Sequence, residues 1–251
     1  MVDYRIPEPG RTSDLATPRR VLAIGAHPDD AEFGAGATLA KWAAAGAQVT
    51  VLVMTDGSKG SWDPSMKPSD LVEARTEEQR RAGQVLGVAA VHNLAHIDGE
   101  LEYSMALRAQ VCLWIRRTRP DVVLSHDPWR RYLLHPDHRA TGWATVDGLV
   151  AARDHLFFPE QLTAGLEHHR PETLLLWATD QPDHYEDVEG FVDQKVAALL
   201  CHSSQAGTTM DQAGTTPEAT ERFRREIEER TQVVGTEANL AGAESFKRIT
   251  P

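Results

Sequence analysis

"VLAIGAHPDD", residues 21–30, passes from a short apolar run straight into a polar turn. An unbroken run of this length has the pattern of a strand buried on both faces, and His27-Pro28-Asp29-Asp30 then falls at the strand's carboxyl end. The same unit recurs outward from it. "GATLAKWAAAGA" (36–47) predicts a helix closing at Gly46, and "QVTVLVMT" (48–55) a second buried strand. "SDLVEARTEEQRRAGQVLG" (69–87) predicts a helix that starts at Ser69 or Asp70 and stops at Gly87. "AAVHNLAH", "YSMALRAQVCLWIRRTR" and "PDVVLSHD" continue strand, helix, strand. "TLLLWATD" (173–180) adds a strand, and "GFVDQKVAALLCHSSQ" (190–205) and "TPEATERFRREIEERTQVVG" (216–235) two helices. This alternation predicts an α/β fold: a Rossmann-like, mostly parallel sheet with helices on both faces. Residues 1–20, polar and broken by Pro7, Pro9 and Pro18, are expected to form an extended lead-in, and 21–251 a single domain.

The formal net charge of −11 argues against broad attraction to nucleic acid or to anionic membrane surfaces. No apolar stretch approaches the ~20 residues of a membrane helix, and the N-terminus has no apolar core of the signal-peptide kind. Cys112 and Cys201 are too few for a disulfide framework and read as reduced thiols. A cytoplasmic location is therefore expected. The sequence carries no sign of an oligomeric state.

In open α/β sheets, ligands bind beyond the carboxyl ends of the strands. The first His-Pro-Asp unit lies at such an end, and a second, His135-Pro136-Asp137-His138, follows the strand that ends near His126. A catalytic divalent metal commonly takes three protein ligands from His and carboxylate and keeps a position open. His27, Asp30 and His138 supply that set. Each proline restricts the histidine before it to extended geometry and so fixes the direction of its side chain. Asp29 would then stand beside the metal as a general base, and His135 opposite it as an electrophile or general acid.

These residues resemble the two signatures of the LmbE-like, or PIG-L, zinc-dependent de-N-acetylases, "AHPDDAEFGAGATL" and "HPDH". "EARTEEQRRAGQVLGV", "DGEL" at 98–101, "KVAALLCHSSQ" and the terminal "AESF" fall in the family's order. The resemblance implies hydrolysis of an acetamide on an N-acetylglucosamine-type sugar or conjugate, with Zn2+, or Fe2+ or Co2+, as cofactor. It makes His27, Asp30 and His138 the ligands, Asp29 the base and His135 the acid. It also places Arg75 and Asp98 where family members contact substrate. In the commoner first motif a glutamate directly follows the two aspartates; here Ala31 intervenes, which leaves the role of Glu32 open.

Two other functions compete. "GAGATL" with Asp56 about twenty residues on mimics a dinucleotide fingerprint and would make the protein a nucleotide-binding oxidoreductase. Its third glycine position is Leu39, however, and "HPDDAEF" stands where a tight turn belongs. A non-catalytic metal- or sugar-binding relative is the other, against which Asp29 and His135 both count. His126 is either a core histidine or a partner of a metal ligand, and His202 is left open.

Overall fold

The computed structural model describes residues 10–251, so the first nine residues of the lead-in lie outside the described residues. Eight strands form one sheet: β1 (Thr12–Ser13), β2 (Arg20–Gly25), β3 (Gln48–Thr55), β4 (Ala90–His96), β5 (Val122–His126), β6 (Thr173–Trp177), β7 (His184–Asp187) and β8 (Ala243–Ile249), in the order β1-β7-β8-β6-β5-β2-β3-β4. Only β8 runs against its neighbours, pairing antiparallel to both β6 and β7; every other pairing is parallel. The longer helices are α1 (Asp30–Ala44), α2 (Pro68–Leu86), α3 (Met105–Thr118), α4 (Pro136–Arg153), α6 (Val192–Leu199) and α7 (Pro217–Thr236), with a short α5 (Pro159–Thr163).

The apolar runs are continuous because both faces of the central strands are covered. Leu22 and Ile24 of β2 join Leu52, Val123, Leu174 and Leu176 in a core shared with α3 and α4. Val21 and Ala23 face the other way, into a core with Val51, Leu124, Leu175 and the α1 residues Leu39 and Trp42. Alternating residues of one strand thus serve two cores, as expected for a parallel sheet between helical layers. Among the described residues no helix is long and apolar enough to cross a membrane.

Five elements depart from the sequence pattern. α1 begins at Asp30, so Glu32 and Phe33, expected in a loop, are helical. Asp29 turns the chain into it with φ 107°, a left-handed conformation that costs a non-glycine residue free energy. α2 starts at Pro68, whose missing N–H suits the first helical position. The strands β7 and β8 carried no apolar-run signal. Their polar residues are held by partners distant in the chain: Thr12 Oγ1 meets His184 Nδ1 at 2.8 Å, Lys41 Nζ meets Glu186 at 2.6 Å, and the Arg248 N–H donates to Asp183 at 2.7 Å. β1, inside the expected lead-in, pairs with β7, and Leu15 packs on the core.

The sheet order reverses beside β2. From β2 the chain moves through β3 to β4 on one side, then returns to build β5 and β6 on the other. The crevice between the carboxyl ends of β2 and β5 is therefore the topological switch point of the parallel part.

Candidate metal centre

Both His-Pro-Asp units open onto that crevice. His27 leaves the end of β2, and Asp30 begins α1 three residues later, its carboxylate accepting the His27 main-chain N–H at 2.7 Å. His135 is the N-cap residue of α4, with φ −67° and ψ 121°; Pro136 occupies the first turn, and His138 follows on the same face. One cavity of about 790 Å³ is lined by His27, Asp29, Asp30, His126, His135 and His138 together, and also by Arg75 and Asp98. All seven residues singled out in the sequence as site residues border it, and His126 joins them.

Four atoms of three residues converge within it. His27 Nδ1 lies 3.4 Å from Asp30 Oδ2 and 3.2 Å from His138 Nε2, and His138 Nε2 lies 3.3 Å from Asp30 Oδ1. A four-coordinate zinc with bonds of about 2.0–2.1 Å spaces its ligand atoms about 3.3–3.4 Å apart. The three residues approach one another at that spacing, the two histidines meeting different oxygens of the Asp30 carboxylate.

The surrounding hydrogen bonds orient each donor. His27 Nε2 is 3.1 Å from both Asp98 and Asp137, which makes it the protonated nitrogen and leaves the Nδ1 lone pair facing the triangle. Asp137 is fully buried and is itself held by the N–H groups of Gly99, at 2.7 Å, and Leu101, at 3.2 Å. Burial opposes a charge on His27, but the hydrogen bonds to Asp137, Asp30 and Asp98 outweigh it and push its pKa up to about 12. The pocket favours positive charge at this position. Trp177 Nε1 donates to His126 Nδ1 at 3.1 Å, so the proton of His126 sits on Nε2 and points at Asp30 Oδ2, 3.1 Å away. The 3.4 Å approach of the Ala26 N–H to the same Nε2 is too long to reverse that assignment. Burial works against ionising Asp30, yet His138 and His126 hold its carboxyl well below the usual range.

Asp29 is differently placed. Its main-chain N–H donates to Gln79 Oε1 at 3.0 Å, and Gln79 Nε2 donates to Glu32 at 2.7 Å, so Gln79 ties the strained turn to α1 and α2. Burial raises the Asp29 pKa, opposed by Arg75 and reinforced by Asp30, to about 7. Arg75, buried, donates to Pro28 O at 2.6 Å and Gly57 O at 3.1 Å, and lies 3.4 Å from Asp29. A Cβ at Gly60 would stand 2.2 Å from its guanidinium. Asp98 also accepts the Lys59 N–H at 3.1 Å. Both residues read from the sequence as substrate contacts are thus engaged in holding Asp29 and His27. The His135 ring stacks on His138 with centroids 4.7 Å apart and meets His27 edge-on at 4.5 Å, and burial lowers its pKa.

Sequence reasoning passed over Asp137 and Gln79. Asp137 sits inside the quoted second motif and was readable as the carboxylate that such metal-binding histidines require. Gln79 carried no signal. The glycines that mimic a dinucleotide fingerprint do other work: a Cβ on Gly34 would meet the Trp177 ring at 2.5 Å, and one on Gly36 the Lys195 stem at 3.1 Å. The first turn of α1 carries Asp30 and Glu32, where a pyrophosphate needs open main-chain N–H groups.

Comparison with known proteins identifies the family. Residues 22–149 match the family model described as PIG-L, GlcNAc-PI de-N-acetylase. A diacetylchitobiose deacetylase of Thermococcus kodakarensis is 35% identical over 204 residues, which span 81% of this chain and 74% of that one. A 1D-myo-inositol 2-acetamido-2-deoxy-alpha-D-glucopyranoside deacetylase of Kineococcus radiotolerans is 35% identical over 169 residues, covering 55% of this chain and 46% of that protein. Among solved structures, the N,N'-diacetylchitobiose deacetylase of Pyrococcus horikoshii superposes with a TM-score of 0.83 at 28% identity, covering 93% of this chain and 84% of the other.

Proposed function

Since the chain belongs to the PIG-L de-N-acetylase family, we propose that it is a metal-dependent hydrolase that removes the acetyl group from an N-acetylglucosamine-type sugar or sugar conjugate. The observation that carries this reading is the triangle of donor residues His27, Asp30 and His138, whose nearest atoms are 3.2–3.4 Å apart, beside the buried carboxyl of Asp29. Zinc suits the His-His-Asp set best, and iron(II) or cobalt(II) is tolerated by the same donors. When bound, the cation supplies Lewis acidity to the amide carbonyl and to water.

The chain's own residues divide the remaining work. Asp29, with its pKa near 7, accepts the proton of the attacking water as the C–O bond forms. His135, at the mouth and stacked on His138, donates a hydrogen bond to the tetrahedral oxyanion and a proton to the departing amine. Arg75 keeps Asp29 aimed by holding both the Pro28 carbonyl and the carboxylate. His126 and Asp137 hold Asp30 and His27 in the orientation described.

The test is metal content of the wild type and of His138→Ala, with amine release from N-acetylglucosamine and N,N'-diacetylchitobiose measured before and after chelation. About one metal per chain, lost in the variant, and activity restored by added zinc are expected. Full amine release from chelated protein would sink the reading.

A further inference from the structure

The cavity does not end at the metal donors. Its wall continues over Phe33 of α1 and Trp177 of β6 to Ile227, Thr231 and Val234 of α7 and to Ala243 of β8. In the sheet β8 lies two places from β5, about 10 Å at the usual strand spacing. The arm is therefore a second compartment, and its α7 and β8 walls lie outside the segment that matches the family model.

Most polar side chains of the arm already have partners. Lys195 Nζ is paired with Glu244 at 2.6 Å, and Glu244 also accepts the Ala37 and Thr38 N–H groups at 3.2 and 2.8 Å. Thr231 Oγ1 donates to Glu228 O at 2.8 Å, Arg230 is paired with Glu226, and Thr208 Oγ1 donates to Gln205. The Ser245 hydroxyl is the one polar side chain of the arm that makes no such bond among the described residues. A second pyranose carries several hydroxyls, and a wall whose polar groups already have partners offers them few new ones. What the arm offers is apolar surface.

We infer that this arm receives an apolar aglycone, an alkyl or aryl group carried by the amino sugar whose acetamide lies at the metal donors. The inference rests on the deacetylase reading. Burial of a chain there strengthens binding roughly fourfold for each methylene that leaves water.

The experiment titrates methyl, butyl and hexyl N-acetylglucosaminides, in both anomers, and N,N'-diacetylchitobiose into the zinc-loaded protein by calorimetry, with amine release measured in parallel. Expected is a Kd that falls at least tenfold from methyl to hexyl, with the hexyl glycoside bound more tightly than diacetylchitobiose. Val234→Asp flattens that series, and the milder Val234→Ala shortens it if the aspartate variant does not fold. Equal Kd for methyl and hexyl glycosides, or tightest binding of diacetylchitobiose, would overturn the inference. Amine release without the chain-length series refutes the arm and leaves the chemistry standing. The series without amine release from any ligand refutes the chemistry and leaves the arm.

Discussion

His27 Nε2 stands 3.1 Å from the carboxylate of Asp137, a residue 110 positions away and enclosed within the second His-Pro-Asp unit. The first motif's histidine is thus oriented by the second motif's aspartate, and the two units depend on each other beyond sharing an ion. Asp137→Asn removes the charge that steadies His27 while keeping most of the shape. Metal affinity, read by competition with a chromogenic chelator, should fall about 10–100-fold, with turnover largely recovered at saturating metal. Unchanged affinity would show that Asp98 alone suffices.

In the proposed mechanism Asp29 sets the acid limb of the rate. Its folded pKa is raised by burial to about 7, and a cation in the donor triangle draws it down from there. A base works only when ionised, so kcat/KM should rise with pH through an apparent pKa at or below about 7. Asp29→Asn should lower kcat by about 10²–10⁴ with the metal retained. Near-normal turnover of this variant would remove Asp29 from the mechanism.

Gln79 acts on the same residue through the main chain. It accepts the N–H of an aspartate held at φ 107°, and Gln79→Leu leaves that buried N–H without a partner. A loss of about 1–3 kcal/mol in stability is expected. kcat should fall more than KM rises, because the displaced group is the base. Gln79→Glu, which keeps an acceptor, should recover part of kcat; a variant series that moves stability alone would limit Gln79 to folding.

His202 makes the fold sensitive to acid. It is fully buried, neither ring nitrogen has a hydrogen-bond partner among the described residues, and burial pushes its pKa down to about 3. Above pH 6.5 the ring is neutral in the folded and unfolded chains alike. Between 6.5 and about 3 the unfolded chain binds a proton that the folded state refuses, so stability falls as pH falls. Between pH 7 and pH 5 the wild type should lose about 2 kcal/mol more than His202→Leu, measured by denaturant unfolding. Equal losses in the two proteins would assign the acid sensitivity elsewhere.

The central sheet was legible because β2, β3, β5 and β6 are apolar on both faces, a property that each strand carries by itself. β7 was not, since burying His184 and Glu186 depends on Thr12 and Lys41, residues far away in the chain. The start of α1 was read at the glycines because "HPDDAEF" looks like turn chemistry; the helix nonetheless forms over Glu32, whose carboxyl is received by Gln79. The donors themselves were readable from the repeated motif and its resemblance to a family. The groups that aim them were hidden for the same reason as β7: Gln79 lies 50 residues from Asp29, and Trp177 lies 51 from His126.

The donors and the carboxylates that hold them come from residues 27–138, whereas most of the second compartment is built from residues 177–245. Reaction and selectivity are consequently written in consecutive stretches of the chain. On the proposed reading, a substitution in α7 or β8 alters what is held beside the donors and leaves the donors themselves untouched.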